Sequence, residues 1–127
     1  MLIFVAVVIF GAFPAAGFYG LYSLVRQHRP GAPALPLHWS DAVSVLAPFW
    51  VWILLTECTP FAEPKSLSNV VCELIPCGWF FSALLALRLT VAAWKQRLDR
   101  RLWGYATMIA VLLAAVLVAL LVPCLPE

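Results

Sequence analysis

A chain of 127 residues that is 65% apolar and 11% charged, with a mean hydropathy of +0.99, is not built as a soluble domain. Soluble domains carry about 25% charged residues, and one this small has too little interior to hide so much apolar surface. The net charge of +2 includes no basic run fit to track a nucleic-acid backbone, so the expected solvent is lipid, with nucleic acid excluded as a partner.

Taken in order, Leu2 to Val25 offers 24 residues without a charge. That length crosses a hydrocarbon core of about 30 Å. The segment lacks the positive start of a signal peptide, and its apolar run is too long for one, so it reads as a true span. Pro14 predicts a kink. Ala16 and Gly20 form a small-xxx-small pair that lets another helix approach closely.

Residues 26–41 form a connector with Pro30, Pro33 and Pro36, which disfavour regular helix and predict extended backbone. Ser40 or Asp41 is then placed to cap the next helix. The second apolar run, Ala42 to Thr56, reaches spanning length only when continued through Cys58 to Phe61, giving an expected span of 42–61 with Pro48 inside it. The third span is expected over 67–94. Its charge-free core lies between Glu73 and Arg88, which a straight helix sets about 22 Å apart, near opposite edges of the hydrocarbon. Arg88 is expected to snorkel to the headgroups, and Glu73 to be an interfacial side chain or a cap partner for Ser68 or Asn69. After the basic connector 95–101, Leu102 to Val122 is an uninterrupted apolar run, giving a fourth span over 102–123.

The fold class is therefore all-α: a polytopic membrane protein whose single domain, 1–127, is a bundle of four transmembrane helices. Four spans put Arg26, Arg29, Arg88, Lys95, Arg97, Arg100 and Arg101 on one side and Lys65 alone on the other. By the positive-inside rule, connectors 26–41 and 95–101 are cytoplasmic and both termini are extracytoplasmic. The expected location is a bacterial inner membrane. Trp39, Trp94 and Trp103 beside the cytoplasmic charges suit an aromatic belt.

This threading brings Cys58, Cys72, Cys77 and Cys124 to the outer face, where disulfides are permitted. Cys72 and Cys77 on one helix point about 140° apart, so neither suits the other as a partner. The expected pairing is Cys58–Cys72 with Cys77–Cys124; the crossed pairing, Cys58–Cys77 with Cys72–Cys124, stays open. Such bridges stabilise by about 2–4 kcal/mol each. Unpaired packing of small apolar thiols is the structural alternative.

A four-span bundle with outer cysteines also resembles, in bundle size and cysteine side, the quinone-linked disulfide-generating membrane proteins of the DsbB and vitamin K epoxide reductase type. That resemblance implies thiol–disulfide exchange at the outer face, although those proteins carry a CxxC pair and the nearest spacing here is Cys72-x4-Cys77. Phe49, Trp50 and Trp52 on the second span, with Trp79, Phe80 and Phe81 on the third, fall at a similar depth and are candidates to line a lipid or quinone site. Asn69, Glu73 and Pro76 resemble the Asn–Glu–Pro helix of the membrane-associated eicosanoid and glutathione metabolism family only in residue type; the spacing differs, and that reading is set aside. His28 and His38 both lie in the 26–41 connector and read as solvated loop histidines, so no metal or other cofactor is implied.

The function expected from these features is that of a small accessory or structural subunit, non-enzymatic, packing against a larger membrane complex or its own copies within the bilayer. The alternatives are the outer-face oxidoreductase and a small channel or membrane-disrupting oligomer.

Overall fold

In a computed structural model the described residues form the helices α1 Leu2–His28, α2 Trp39–Glu57, α3 Leu67–Lys95 and α4 Arg100–Leu121. The structure describes residues 2–29, 37–58, 60, 65–95 and 99–126, with α1 side chains at Val5, Ile9 and from Ala12 onward. Among the described residues there is no strand, and α2, α3 and α4 are each long and apolar enough to cross a membrane. The expected extended backbone at Pro30, Pro33 and Pro36, the end of the second span at Phe61, and Arg97 lie outside the described residues.

Polar residues stand at the starts of α2, α3 and α4. His38, in extended backbone at φ −133° and ψ 156°, caps α2, its ring nitrogen accepting from the Ser40 N–H at 3.4 Å. Asp41 Oδ2 answers by accepting the His38 N–H at 2.9 Å, completing a capping box. The cap is thus His38, and the expected caps Ser40 and Asp41 fall inside the first turn, so α2 begins at Trp39 and not at 42. Asp99 caps α4 by accepting the N–H groups of Arg101 and Leu102 at 3.0 and 3.4 Å. Ser66 precedes α3, its N–H donating to the Asn69 side chain at 3.1 Å.

Near its start α3 widens into a π-helical segment, Val70–Leu74, before continuing as α-helix. The cause is Pro76, which has no N–H for the Cys72 carbonyl and whose ring crowds that carbonyl. A wider turn relieves the clash.

The helices pack as two pairs, α1 chiefly on α3 and α2 chiefly on α4, joined where α3 meets α4. Members of a pair run parallel: Val25 near the end of α1 and Arg29 just beyond it share a groove with Ala93 and Trp94 at the end of α3, and Ser40 of α2 faces Gly104 of α4. The pairs oppose each other, since Asp41 at the start of α2 meets Arg88 late in α3. One core cluster joins Ala15 and Tyr22 to Phe81, Leu85, Leu89, Ala92 and Val111; a second joins Trp52, Leu74 and Ala119.

The buried face of α4 reads Gly104, Thr107, Val111, Ala115, Ala119, spaced by three and four residues. Small side chains along that row let α2 lie close, which is how helices associate when lipid offers no hydrophobic drive. The approach is tightest at Gly104. A Cβ there would stand 2.6 Å from Ser40 Oγ and 2.9 Å from His38 Cβ. Gly104→Ala is expected to push the start of α2 away and lower stability by about 1–3 kcal/mol in thermal unfolding of detergent-solubilised protein. Gly20→Ala, with nothing within 4 Å of its Cβ position, is the matched control and is expected not to lower the transition, since alanine favours helix over glycine.

Candidate functional site

Both ends of the bundle close on an ion pair buried among several chain segments. At one end Arg88 of α3 is fully buried. Its Nη1 and Nη2 donate to the two carboxylate oxygens of Asp41 at 2.7 and 2.9 Å, a bidentate fork. Nη2 also donates to Thr107 Oγ1 at 2.8 Å and to the Trp103 carbonyl at 3.3 Å, while the Thr107 hydroxyl donates to that carbonyl at 2.7 Å. One guanidinium therefore ties α3 to α2 and α4 together. Arg88 does not snorkel as expected, because Asp41 supplies its counter-charge within the bundle.

At the other end Glu73 is equally buried. Its Oε1 accepts from Asn69 Nδ2 at 2.9 Å and from Lys65 Nζ at 2.8 Å, and its Oε2 accepts from the indole Nε1 of Trp52. Asn69 is the partner anticipated for Glu73, but the carboxylate is internal and not interfacial. Glu73 itself belongs to the wide π turn, Val70–Leu74.

The same residues capture the chain after α4. Pro123 and Pro126 end that helix and leave carbonyls without helical partners. Lys65 Nζ donates to the Val122 carbonyl, Asn69 Nδ2 to that of Pro123 at 2.8 Å, and Ser68 Oγ to that of Pro126 at 2.9 Å. In return the Leu125 N–H donates to Asn69 Oδ1 at 2.9 Å. Ser68, weighed as a cap partner for Glu73, serves the C-terminal segment instead.

The cysteines do not form the expected bridges. Cys58, Cys72, Cys77 and Cys124 are all free, and no two stand at disulfide distance. Cys72 lies on the exposed side of α3 and Cys77 on its buried side, as the helical angle implies. Cys58 caps the end of α2 and Cys124 sits exposed beyond α4. The ends of helices α2, α3 and α4 are pinned together, but Trp52, Lys65 and Asn69 do it with hydrogen bonds.

The aromatic set divides between interior and surface. Trp52 is engaged by Glu73 and Phe81 belongs to the core, whereas Trp50, Trp79 and Phe80 face outward and Phe49 packs edge-on against Trp50 at 5.9 Å. Ala16 and Gly20 also lie on the outer surface of α1. His38 is a half-buried cap whose Nδ1 pairs with Ser40 Oγ at 2.9 Å, not a solvated loop side chain. It stacks with Trp39 and Tyr105 in an aromatic trio at centroid separations of 5.1–5.8 Å. His28 bonds the Leu24 carbonyl at 2.9 Å. Among the described residues, no three His, Cys, Asp or Glu side chains come together as a metal site would need.

Sequence reasoning missed the Asp41–Arg88 pair, and with it Thr107 and Gly104. The available signal was an acid and a base both lodged within helical segments of an apolar chain, where each calls for a partner of opposite charge.

Removing one member of a buried pair strands the other charge, a loss of roughly 3–5 kcal/mol. Asp41→Ala and Arg88→Ala are each expected to show losses of that size in thermal unfolding, and the combined Asp41→Leu, Arg88→Met chain a smaller one than either. On the thiols, a bulky maleimide applied without reductant is expected to modify all four cysteines of the unfolded chain. In the folded chain Cys58, Cys72 and Cys124 should react while Cys77 stays protected, read as a mass-shift ladder.

No protein-family model, curated protein or solved structure matches this chain.

Proposed function

We propose that this chain is a membrane subunit that works by packing, with α1 as a fourth span beside α2, α3 and α4. Its partner is a larger membrane protein complex, with self-association as the other outcome of the test below. The observation that carries this reading is the outward face of α1. Phe13, Gly17, Gly20 and Leu24 share one side of the helix at about 100° per residue. Phe13 is 76% exposed and Leu24 55%, and nothing approaches within 4 Å of where a Cβ would stand at Gly17 or Gly20. Ala16 borders the same flat strip and is exposed too. Two bulky residues flanking a glycine floor offer a second helix a close, interdigitating contact, the main source of affinity within a bilayer.

The polar groups support the same reading from the inside. Asp41, Arg88, Lys65 and Glu73 are engaged with one another and with backbone, and so serve to hold the helices in place. The orientation proposed is the one the charges favour: Arg26, Arg29, Lys95, Arg100 and Arg101 gather at the Arg88 end and face the cytoplasm, with both termini outside. A bacterial inner membrane suits that arrangement.

The test is affinity purification of the full chain in mild detergent, followed by native electrophoresis. The expected result is an assembly larger than the chain itself. Gly17→Leu and Gly20→Leu should each reduce it by roughly tenfold, the scale of one close helix contact. Leu54→Ala, at an exposed position on α2, should leave it intact. A lone monomer in the parent chain would overturn the proposal.

A further inference from the structure

A second flank of α1 carries a different feature. Between α1 and α3 lies a groove of about 580 Å³, open along its side. Its walls are apolar side chains, among them Phe18, Leu21 and Leu89, and Arg29 stands at one end beside Trp94. On the helical wheel the groove residues Phe18, Tyr22 and Val25 lie roughly 140–160° from Gly20, so the groove is separate from the glycine strip.

Charge sets what fits. Arg29 is exposed, and no acidic side chain pairs with it among the described residues. Trp94, 81% exposed, marks headgroup level, where an indole places a flat apolar body against an N–H donor. An apolar trough that opens sideways to the membrane and ends on an uncompensated guanidinium has the two chemistries of one molecule, an acyl chain and an acidic phosphate. From this juxtaposition we infer that the groove between α1 and α3 binds one anionic membrane phospholipid, its acyl chain along Phe18, Leu21 and Leu89 and its phosphate on Arg29. Arginine suits that phosphate because its planar fork donates two parallel hydrogen bonds. The bound lipid covers the apolar flank of the α1–α3 pair.

The full chain, reconstituted into vesicles of phosphatidylglycerol and phosphatidylcholine in equal parts and re-extracted in mild detergent, is then examined by native mass spectrometry. The expected result is one phosphatidylglycerol retained per chain, in preference to phosphatidylcholine. Arg29→Gln should lower that retention about fivefold, the effect of one cation near an anionic surface. Thr90→Phe, at an exposed groove position, should abolish retention of either lipid by filling the trough. Arg26→Gln, one turn away and outside the groove, should leave it unchanged. Equal retention of the two lipids, retention unaffected by Arg29→Gln, or an equal loss from Arg26→Gln would each overturn the inference. Because the variants leave Gly17 and Gly20 intact, assembly size in native electrophoresis separates failure here from failure of the packing interface.

Discussion

The rest of the structure depends on the burial of Arg88 against Asp41. A guanidinium inside an apolar bundle has no water to turn to, so its partners must come from neighbouring helices in fixed geometry. Asp41 answers with both carboxylate oxygens while one of them also caps α2 through the His38 N–H. Thr107 and the Trp103 carbonyl add two more acceptors from α4. Helix order and depth follow: α2 and α4 must start at the level where α3 carries Arg88, which places Gly104 against Ser40. The ion pair is also a selective device. A sliding or rotated α3 would strand a charge, so alternatives to this packing are penalised far more than the pair itself stabilises.

Glu73 does the corresponding work at the opposite end, and there the local backbone participates. Pro76 forces a π turn just ahead of it, and the wider helix lies where Trp52, Lys65 and Asn69 converge on one carboxylate. The prolines that stop α4 release carbonyls that Lys65, Ser68 and Asn69 collect. A break in helical regularity on each side is thus matched by side chains from the other, closing a polar knot around residues 122–126. With both ends locked by α2, α3 and α4, α1 keeps an exposed outer surface from Ala16 to Arg29, broken by the buried Tyr22. It presents a glycine strip on one side and, on another, a groove ending at Arg29.

Legibility in the sequence varied with the range of the interaction. The helical segments could be read from apolar run length, because each needs only its own residues; their limits shifted by a few positions where a cap decided them, as His38 does for α2. The opposite faces of Cys72 and Cys77 were legible for the same reason, being a matter of helical pitch. Disulfide pinning was not, since four thiols near one end do not fix which side chains stand within bonding reach. Which aromatic side chains face the interior was not legible either: Trp52 and Phe81 turn inward while Trp50 and Trp79 turn out, and depth alone cannot distinguish them.

By itself, then, the sequence determined that this protein is helical, apolar along most of its length and strongly asymmetric in its cations, because composition, run length and charge placement are local properties. Only the tertiary structure decided that Asp41 pairs with Arg88 across 47 positions and Glu73 with Trp52 across 21. It alone decided that α1 lies on α3 and α2 on α4, and that the cysteines remain apart. Those outcomes rest on which faces of separate helices meet, and in an apolar chain that choice is made by a handful of polar side chains that must find one another.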